Sequence, residues 1–281
     1  MIKRFIVFLA LPLLAAAAVK SDMLVSAAWL AEHLNDRGVV ILHVAANRAG
    51  YDAGHVPGAR FVAQSELVVT RDGIPNELPA VADLLALFER LGVSDGSRIV
   101  LYGEGSLIPA SRAYFTLDYL GHGDHTALLD GGFDQWKREN RALSIEAGPA
   151  VAAGKLTPKV KVELVVKTEQ VKQPAGFSLL DARSQPEYGG TNGHIPGAQN
   201  VNWIEGQVSR ENMTLQSEDA LRKLYEAAGI TPGKQVVTYC NSGMQASASY
   251  FTLKYLGYDV KLYDGSLSEW TRTPGTTVEK K

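Results

Sequence analysis

Three patterns occur twice along this 281-residue chain, in the same order. AGHVPGA at 53–59 is matched by NGHIPGA at 192–198, AYFTLDYLG at 113–121 by SYFTLKYLG at 249–257, and LDGGFDQW at 129–136 by YDGSLSEW at 263–270. Chance is a poor source of three ordered matches at nearly constant spacing, so the chain reads as two copies of one domain. The copies occupy roughly residues 20–145 and 161–275. Between them, residues 146–160 are rich in Ala, Gly, Pro and Lys and lack any amphipathic period, which suits a linker.

Within the first copy the periodicity predicts a short helix in VSAAWLAEHLN with Ser26 as its cap, a buried strand in VVILHV and a helix in VADLLALFERLG that stops at Gly92. A second strand, RIVLY, and the helix SRAYFTLDYLG follow. The second copy repeats the alternation with FSLLDA, SEDALRKLYEAAG, QVVTY and ASASYFTLKYLG. Short continuous apolar strands separated by helices specify an α/β fold, here two tandem domains, each a doubly wound parallel sheet flanked by helices. Ligands in such sheets bind beyond the carboxyl ends of the strands.

The chain is 46% apolar with a formal net charge of -2, a globular composition without the clustered Lys and Arg of a nucleic-acid groove. Its first residues, MIKRFIVFLALPLLAAAAVKSD, combine a basic pair, a short apolar run and an A-x-A pattern at Ala16 and Ala18. That is the pattern of a secretory signal peptide over residues 1–18, and it places the mature protein in the periplasm or outside the cell, with no membrane span after cleavage. The apolar run is short for a bilayer helix of about 20 residues and contains Pro12.

Only one cysteine is present, Cys240, in TYCNSGMQAS, so no internal disulfide can form. It follows the strand QVVTY directly, at the sheet edge where ligands bind. Asn241, Ser242, Gly243, Met244 and Gln245 carry the chain from strand to helix, and a compact loop of this kind turns its N–H groups inward towards an anion. A thiol held there is expected to titrate below its free value of about 8.5. The plainer reading, a buried residue ending a strand, is weakened by the duplication. The first copy has RIVLYGEGSLIPAS, with Gly103 at the cysteine position and Glu104 beside it.

The paired GHVPGA and GHIPGA segments, DARSQPEY at 181–188, the two DG-x4-W signals ending in Trp136 and Trp270, and CNSGMQ after a strand together resemble a two-domain rhodanese, a thiosulfate or 3-mercaptopyruvate sulfurtransferase. The resemblance covers nearly the whole mature chain. It implies a non-catalytic N-terminal half and a catalytic C-terminal half in which Cys240 takes sulfur from a donor as a persulfide and passes it to cyanide or a thiol, with no cofactor. It also implies roles for Asp181 and Arg183, an Asp-x-Arg whose arginine either orients an anionic donor or forms a scaffold ion pair with Asp181 or Glu187. His194 and His55 occur in both copies, which favours loop support over acid catalysis.

The donor is left open by the loop, which has neither the basic residues of thiosulfate-preferring enzymes nor the Gly-Ser-Gly-Val-Thr of mercaptopyruvate enzymes; thiosulfate is favoured because it demands the fewest contacts. Phosphatase chemistry is disfavoured because the sixth residue after Cys240 is Ala246, where an arginine would grip phosphate. His122 and His125 lack the further ligands a metal needs, so no metal site is expected. A persulfide carrier and an inactive structural relative are the competing readings.

Overall fold

The computed structural model describes residues 18–148 and 151–280. The expected signal peptide, residues 1–18, lies outside the described residues except for its last position. Among the described residues no helix is long and apolar enough to cross a membrane.

The N-terminal half runs β1 (Leu24–Val25), α1 (Ala27–Glu32), β2 (Val39–Ala45), α2 (Ala49–Ala53), β3 (Arg60–Ala63), β4 (Val69–Arg71), β5 (Ile74–Glu77), α3 (Val81–Arg90), β6 (Arg98–Tyr102), α4 (Ile108–Tyr119), β7 (Thr126–Leu129) and α5 (Gly132–Arg138). The C-terminal half continues with α6 (Thr168–Val171), β8 (Phe177–Asp181), α7 (Gln185–Gly189), β9 (Gln199–Asn200), α8 (Glu218–Ala227), β10 (Gln235–Tyr239), α9 (Met244–Tyr255), β11 (Val260–Leu262) and α10 (Ser266–Trp270). The first half holds a five-stranded sheet in the order β1-β7-β6-β2-β3 and the second a four-stranded sheet, β11-β10-β8-β9, both parallel throughout. The second half keeps only a vestige of the first strand, a single bridge from Val165 to Leu262. The antiparallel hairpin β4–β5 of the first half is reduced in the second to one antiparallel bridge, Gln207 to Leu215.

Local chemistry sets the element ends. Ser26 Oγ accepts from Trp29 N at 3.0 Å to start α1, and Ser217 Oγ accepts from Ala220 N at 3.4 Å to start α8. Gly92, at φ 72, lets the chain leave α3 in the left-handed conformation.

The strands alternate their side chains between two apolar layers, as a sheet covered on both faces requires. Along β2, Val40, Leu42 and Val44 face the other half of the molecule while Ile41 faces outward; along β10, Val236 faces inward and Val237 and Tyr239 outward. Cys240 continues the inward parity and joins that inner core.

At the centre, α4 and α9 pack against one another and are buried on nearly every side, which is why neither has a polar face. Their contact is reciprocal. Tyr114 meets Phe251 edge-on at 5.0 Å and Phe115 meets Tyr250 edge-on at 4.9 Å, pairing each residue with the duplicate of its neighbour. Asp118, fully buried, accepts from Tyr250 Oη at 2.7 Å and pairs with Lys254 and Lys161, each at 2.8 Å. Burial opposes ionisation of Asp118, but the two lysines and the tyrosine outweigh it and hold the carboxyl below the ordinary range. The aspartates of the two DG segments also exchange across the junction: Asp264 Oδ2 accepts from Leu78 N and Asp130 Oδ1 from Leu215 N, both at 2.9 Å.

The described part of the linker has no helix or strand, yet it is not free. Gly154, Leu156, Thr157 and Lys159 donate their N–H groups to Glu89, Asp95 and Leu120, strapping the segment onto the first half.

His43 sits where the first half has no use for an imidazole. It is fully buried among the rings of Tyr51, Phe61, Tyr102 and Phe133, and neither ring nitrogen has a hydrogen-bond partner. Burial pushes its pKa down to about 4, with Glu104 opposing the shift. The unfolded chain therefore takes up a proton near pH 6.5 that the folded chain refuses until about pH 4. Stability contributed by keeping His43 neutral is present above pH 6.5 and is lost towards pH 4, at up to about 1.4 kcal/mol per pH unit. His43→Leu should be no less stable at pH 7 and should remove that acid sensitivity; parallel melting-temperature profiles for the two proteins between pH 4 and 7 would refute the assignment.

Candidate active site

β10 ends at Tyr239, and Cys240 opens the loop that leads into α9. Ser266, from the start of α10, fixes the loop: its Oγ accepts from Cys240 N at 3.1 Å and Gly243 N at 3.0 Å and donates to Tyr263 O at 2.9 Å. Every capacity of that hydroxyl on the chain side is thus engaged, and the residue holds φ 53 to reach, a strained value for a side chain with Cβ. Gly243, at φ 79, could not be another residue, because a Cβ there would lie 2.6 Å from Asp264 Oδ1 and 2.8 Å from Asp264 O.

The thiol of Cys240 is 1% exposed and receives the backbone N–H groups of Ala246, Ser242 and Gln245. This is the amide cradle that the sequence implies. Its effect on the thiol differs from the expectation: burial pushes the Cys240 thiol up, the nearby Asp181 adds to this, and the three amides only oppose it. The cradle stabilises an anion, but removing the sulfur from water costs more than three amides return.

Asp181 and Arg183 come together beside the loop, both buried. Arg183 Nη2 donates to Asp181 Oδ2 at 2.6 Å and Gly193 O at 2.7 Å, its Nε spans both Asp181 oxygens, and Nη1 reaches Asn241 Oδ1 at 3.4 Å. The guanidinium is thus occupied by the scaffold pair with Asp181, one of the two roles considered for it. Asn241 Nδ2 in turn donates to Glu187 Oε1 at 3.0 Å. Ser242 Oγ accepts from Asn76 Nδ2 at 2.8 Å. Met244 and Gln245 form the first turn of α9, and Gln245 Oε1 is buried without a hydrogen-bond partner. His194 stands apart from this group: its Nδ1 meets Tyr188 O at 3.0 Å, its ring stacks on Tyr188 at 3.7 Å, and Nε2 lies 3.4 Å from Glu279. His55 repeats the arrangement with Tyr51 in the first half.

Four contributors were not singled out from the sequence. Asn76, from the hairpin of the first half, grips Ser242. Arg112, fully buried on α4, pairs with Asp264 through Nη1 at 2.5 Å and donates to Asn76 O at 2.8 Å. Asp264 walls Gly243, and Ser266 holds the loop amides. The repetition of the DG segments was a signal for Asp264; nothing in the local sequence marks Asn76 or Arg112.

At the matching place in the first half, Phe133 N donates to Gly103 O at 2.9 Å as Leu267 N does to Cys240 O at 3.1 Å. A Cβ on Gly103 would lie 2.7 Å from Ser106 O, so the loop has closed over the space where a nucleophile would stand.

The Rhodanese-like domain matches residues 26–139 and again residues 165–273. The chain belongs to the rhodanese family. It is 35% identical to the sulfur carrier protein TtuD of Thermus thermophilus over 92% of this chain and 97% of the relative. It is 36% identical to a thiosulfate sulfurtransferase of Pseudomonas aeruginosa, covering 82% of this chain and 88% of that one, and 31% identical to the 3-mercaptopyruvate sulfurtransferase of Escherichia coli, covering 91% and 97%. Among solved structures, the 3-mercaptopyruvate sulfotransferase SseA of Escherichia coli superposes with a TM-score of 0.77 at 28% identity, over 87% of this chain and 98% of that one. The rhodanese fold of both halves, and membership of a sulfurtransferase family, are thereby established for this chain. Among the described residues no three His, Cys, Asp or Glu side chains converge as metal ligands would.

Two outcomes follow from the geometry. Alkylation of Cys240 by iodoacetamide should accelerate with pH through an inflection above the free-thiol value of about 8.5, since the thiol is held neutral until the solution is more basic; an inflection near 7 would contradict the burial argument. Arg112→Met should cost about 3–5 kcal/mol in denaturant unfolding, because it leaves Asp264 buried without its partner. A loss under 1 kcal/mol would show the pair to be dispensable.

Proposed function

We propose that this rhodanese moves a sulfane sulfur from thiosulfate to cyanide or a thiol acceptor through a persulfide on Cys240. The observation that carries the reading is Cys240 at the focus of three inward amides at the carboxyl end of β10. The Cys240 thiolate attacks the outer sulfur of thiosulfate, an S–S bond forms to Cys240, and sulfite departs with the electron pair of the bond that breaks. Cyanide or a thiolate then attacks the outer sulfur of the persulfide, and Cys240 leaves as thiolate. Neither half-reaction requires an outside oxidant, reductant or cofactor.

The raised thiol pKa is compatible with this order. The sulfur need ionise only when the donor enters, and the persulfide anion that results has its charge one atom further out, in reach of the same cradle. The leader pattern at residues 1–18 supports action in the periplasm or outside the cell.

A second reading is favoured by one feature: no basic side chain stands in the loop from Asn241 to Gln245 to hold a dianion. In that reading 3-mercaptopyruvate is the donor, or the chain carries a persulfide received from another protein. Wild type incubated with thiosulfate and cyanide should release thiocyanate, and intact-mass measurement should find one added sulfur that disappears in Cys240→Ser. Turnover no higher than that of Cys240→Ser with both thiosulfate and mercaptopyruvate would exclude the enzymatic reading; sulfur appearing on Cys240 only with a partner protein would establish the carrier.

A further inference from the structure

Beside the nucleophile, α7 and the loop after it enclose a cavity of about 250 Å³ lined by Arg183, Glu187, Thr191, Asn192 and Asn241 among others. Asn241, the residue next to Cys240, forms part of the cavity wall. Its electrostatics are one-sided. Arg183 is paired with Asp181 at 2.6 Å, so those two charges offset one another. Glu187 has no such match. Its Oε2 accepts from Ser184 Oγ at 2.7 Å and Ser184 N at 3.1 Å, and its Oε1 from Asn241 Nδ2 at 3.0 Å, all neutral donors. Burial opposes ionisation of Glu187, but these hydrogen bonds and the field of Arg183 outweigh it and hold the carboxyl below its ordinary range. Thr191 and Asn192 add neutral polar groups. With the buried Asp181 behind the wall counted against Arg183, the charged groups at this cavity sum to one negative charge, that of Glu187.

We propose that this cavity receives the sulfur acceptor and that Glu187 selects an acceptor with a positive charge, a small aminothiol, over neutral and anionic thiols. The inference rests on the persulfide reading above and adds the acceptor class to it. The volume suits a small thiol, since pockets for drug-sized ligands begin near 300 Å³. The discharge balances without other reagents: the aminothiol thiolate attacks the outer sulfur of Cys240–S–S⁻, the bond to Cys240 breaks, Cys240 leaves as thiolate, and the acceptor leaves as its hydropersulfide after proton exchange with water. A positive charge several ångströms from a half-exposed carboxylate gains roughly 3- to 10-fold at low ionic strength, and the advantage falls as salt screens it.

The variant of choice is Glu187→Gln. Glutamine serves as well as glutamate at the third position of the capping box that Ser184 and Glu187 form on α7, so the helix start survives while the charge is removed. Protein loaded with sulfur and freed of donor is mixed with cysteamine, 2-mercaptoethanol or 3-mercaptopropionate, and loss of the added sulfur is followed by intact mass. The rate in wild type divided by that in Glu187→Gln cancels the intrinsic reactivity of each thiol. The expected ratios are about 3–10 for cysteamine, near 1 for mercaptoethanol and below 1 for mercaptopropionate, all converging on 1 in 1 M salt.

Equal ratios for the three thiols would overturn the proposal while leaving the persulfide intact. If no sulfur loads onto Cys240, the persulfide reading fails on its own, and the charge selection is still tested by the thiol: aminoethyl methanethiosulfonate should modify wild type faster, relative to Glu187→Gln, than its sulfonatoethyl counterpart does. Equal relative rates there would again overturn it.

Discussion

The reciprocal packing of α4 against α9 is the contact from which the rest of the architecture follows. Two copies of one helix meet so that each aromatic of the Tyr-Phe pair presses on its duplicate's neighbour, an arrangement that closed homodimers reach by symmetry and that this chain reaches by duplication. Edge-to-face pairs of this kind contribute about 0.5–1.5 kcal/mol each beyond the area they bury. At the same junction perfect symmetry would have set two aspartates facing one another. Lys254 stands in the place of the second, and Asp118 is satisfied by opposite charge and by Tyr250. The departure from identity between AYFTLDYLG and SYFTLKYLG is thus an electrostatic requirement of packing the copies together.

Because the halves are locked in this way, the first can act on the second without a nucleophile of its own. Arg112 leaves α4, crosses the junction and fixes Asp264, which in turn walls Gly243 of the loop after Cys240. The hairpin β4–β5, whose counterpart in the other half is the reduced turn bridged from Gln207 to Leu215, brings Asn76 to Ser242. The first half is one wall of the candidate site.

The fold was legible because it rests on local regularities. Continuous apolar strands, a serine ahead of α1, a glycine after α3 and the three repeated segments each report on a few neighbouring residues, and the structure assembles them as those signals require. The lone thiol was legible for the same reason: strand end, small residues and helix start are contiguous. The residues that escaped notice act at a distance. Asn76 and Ser242 are 166 positions apart, and Arg112 and Asp264 are 152 apart, so no window of sequence contains both partners. The pKa of Cys240 was misjudged for a related reason. Amide donors can be inferred from a loop, whereas desolvation depends on the inner core that α9 and its neighbours build around the sulfur.

The closed loop at Gly103 bears on how such a chain can change. With Ser106 O filling the place where a side chain would begin, a cysteine substituted for Gly103 would meet backbone, and recovery would need the loop to be reshaped in the same step. A single substitution therefore does not place a thiol in that loop as it stands. The first half serves the second as a wall and a strap, and the chain keeps the redox simplicity of a single thiol.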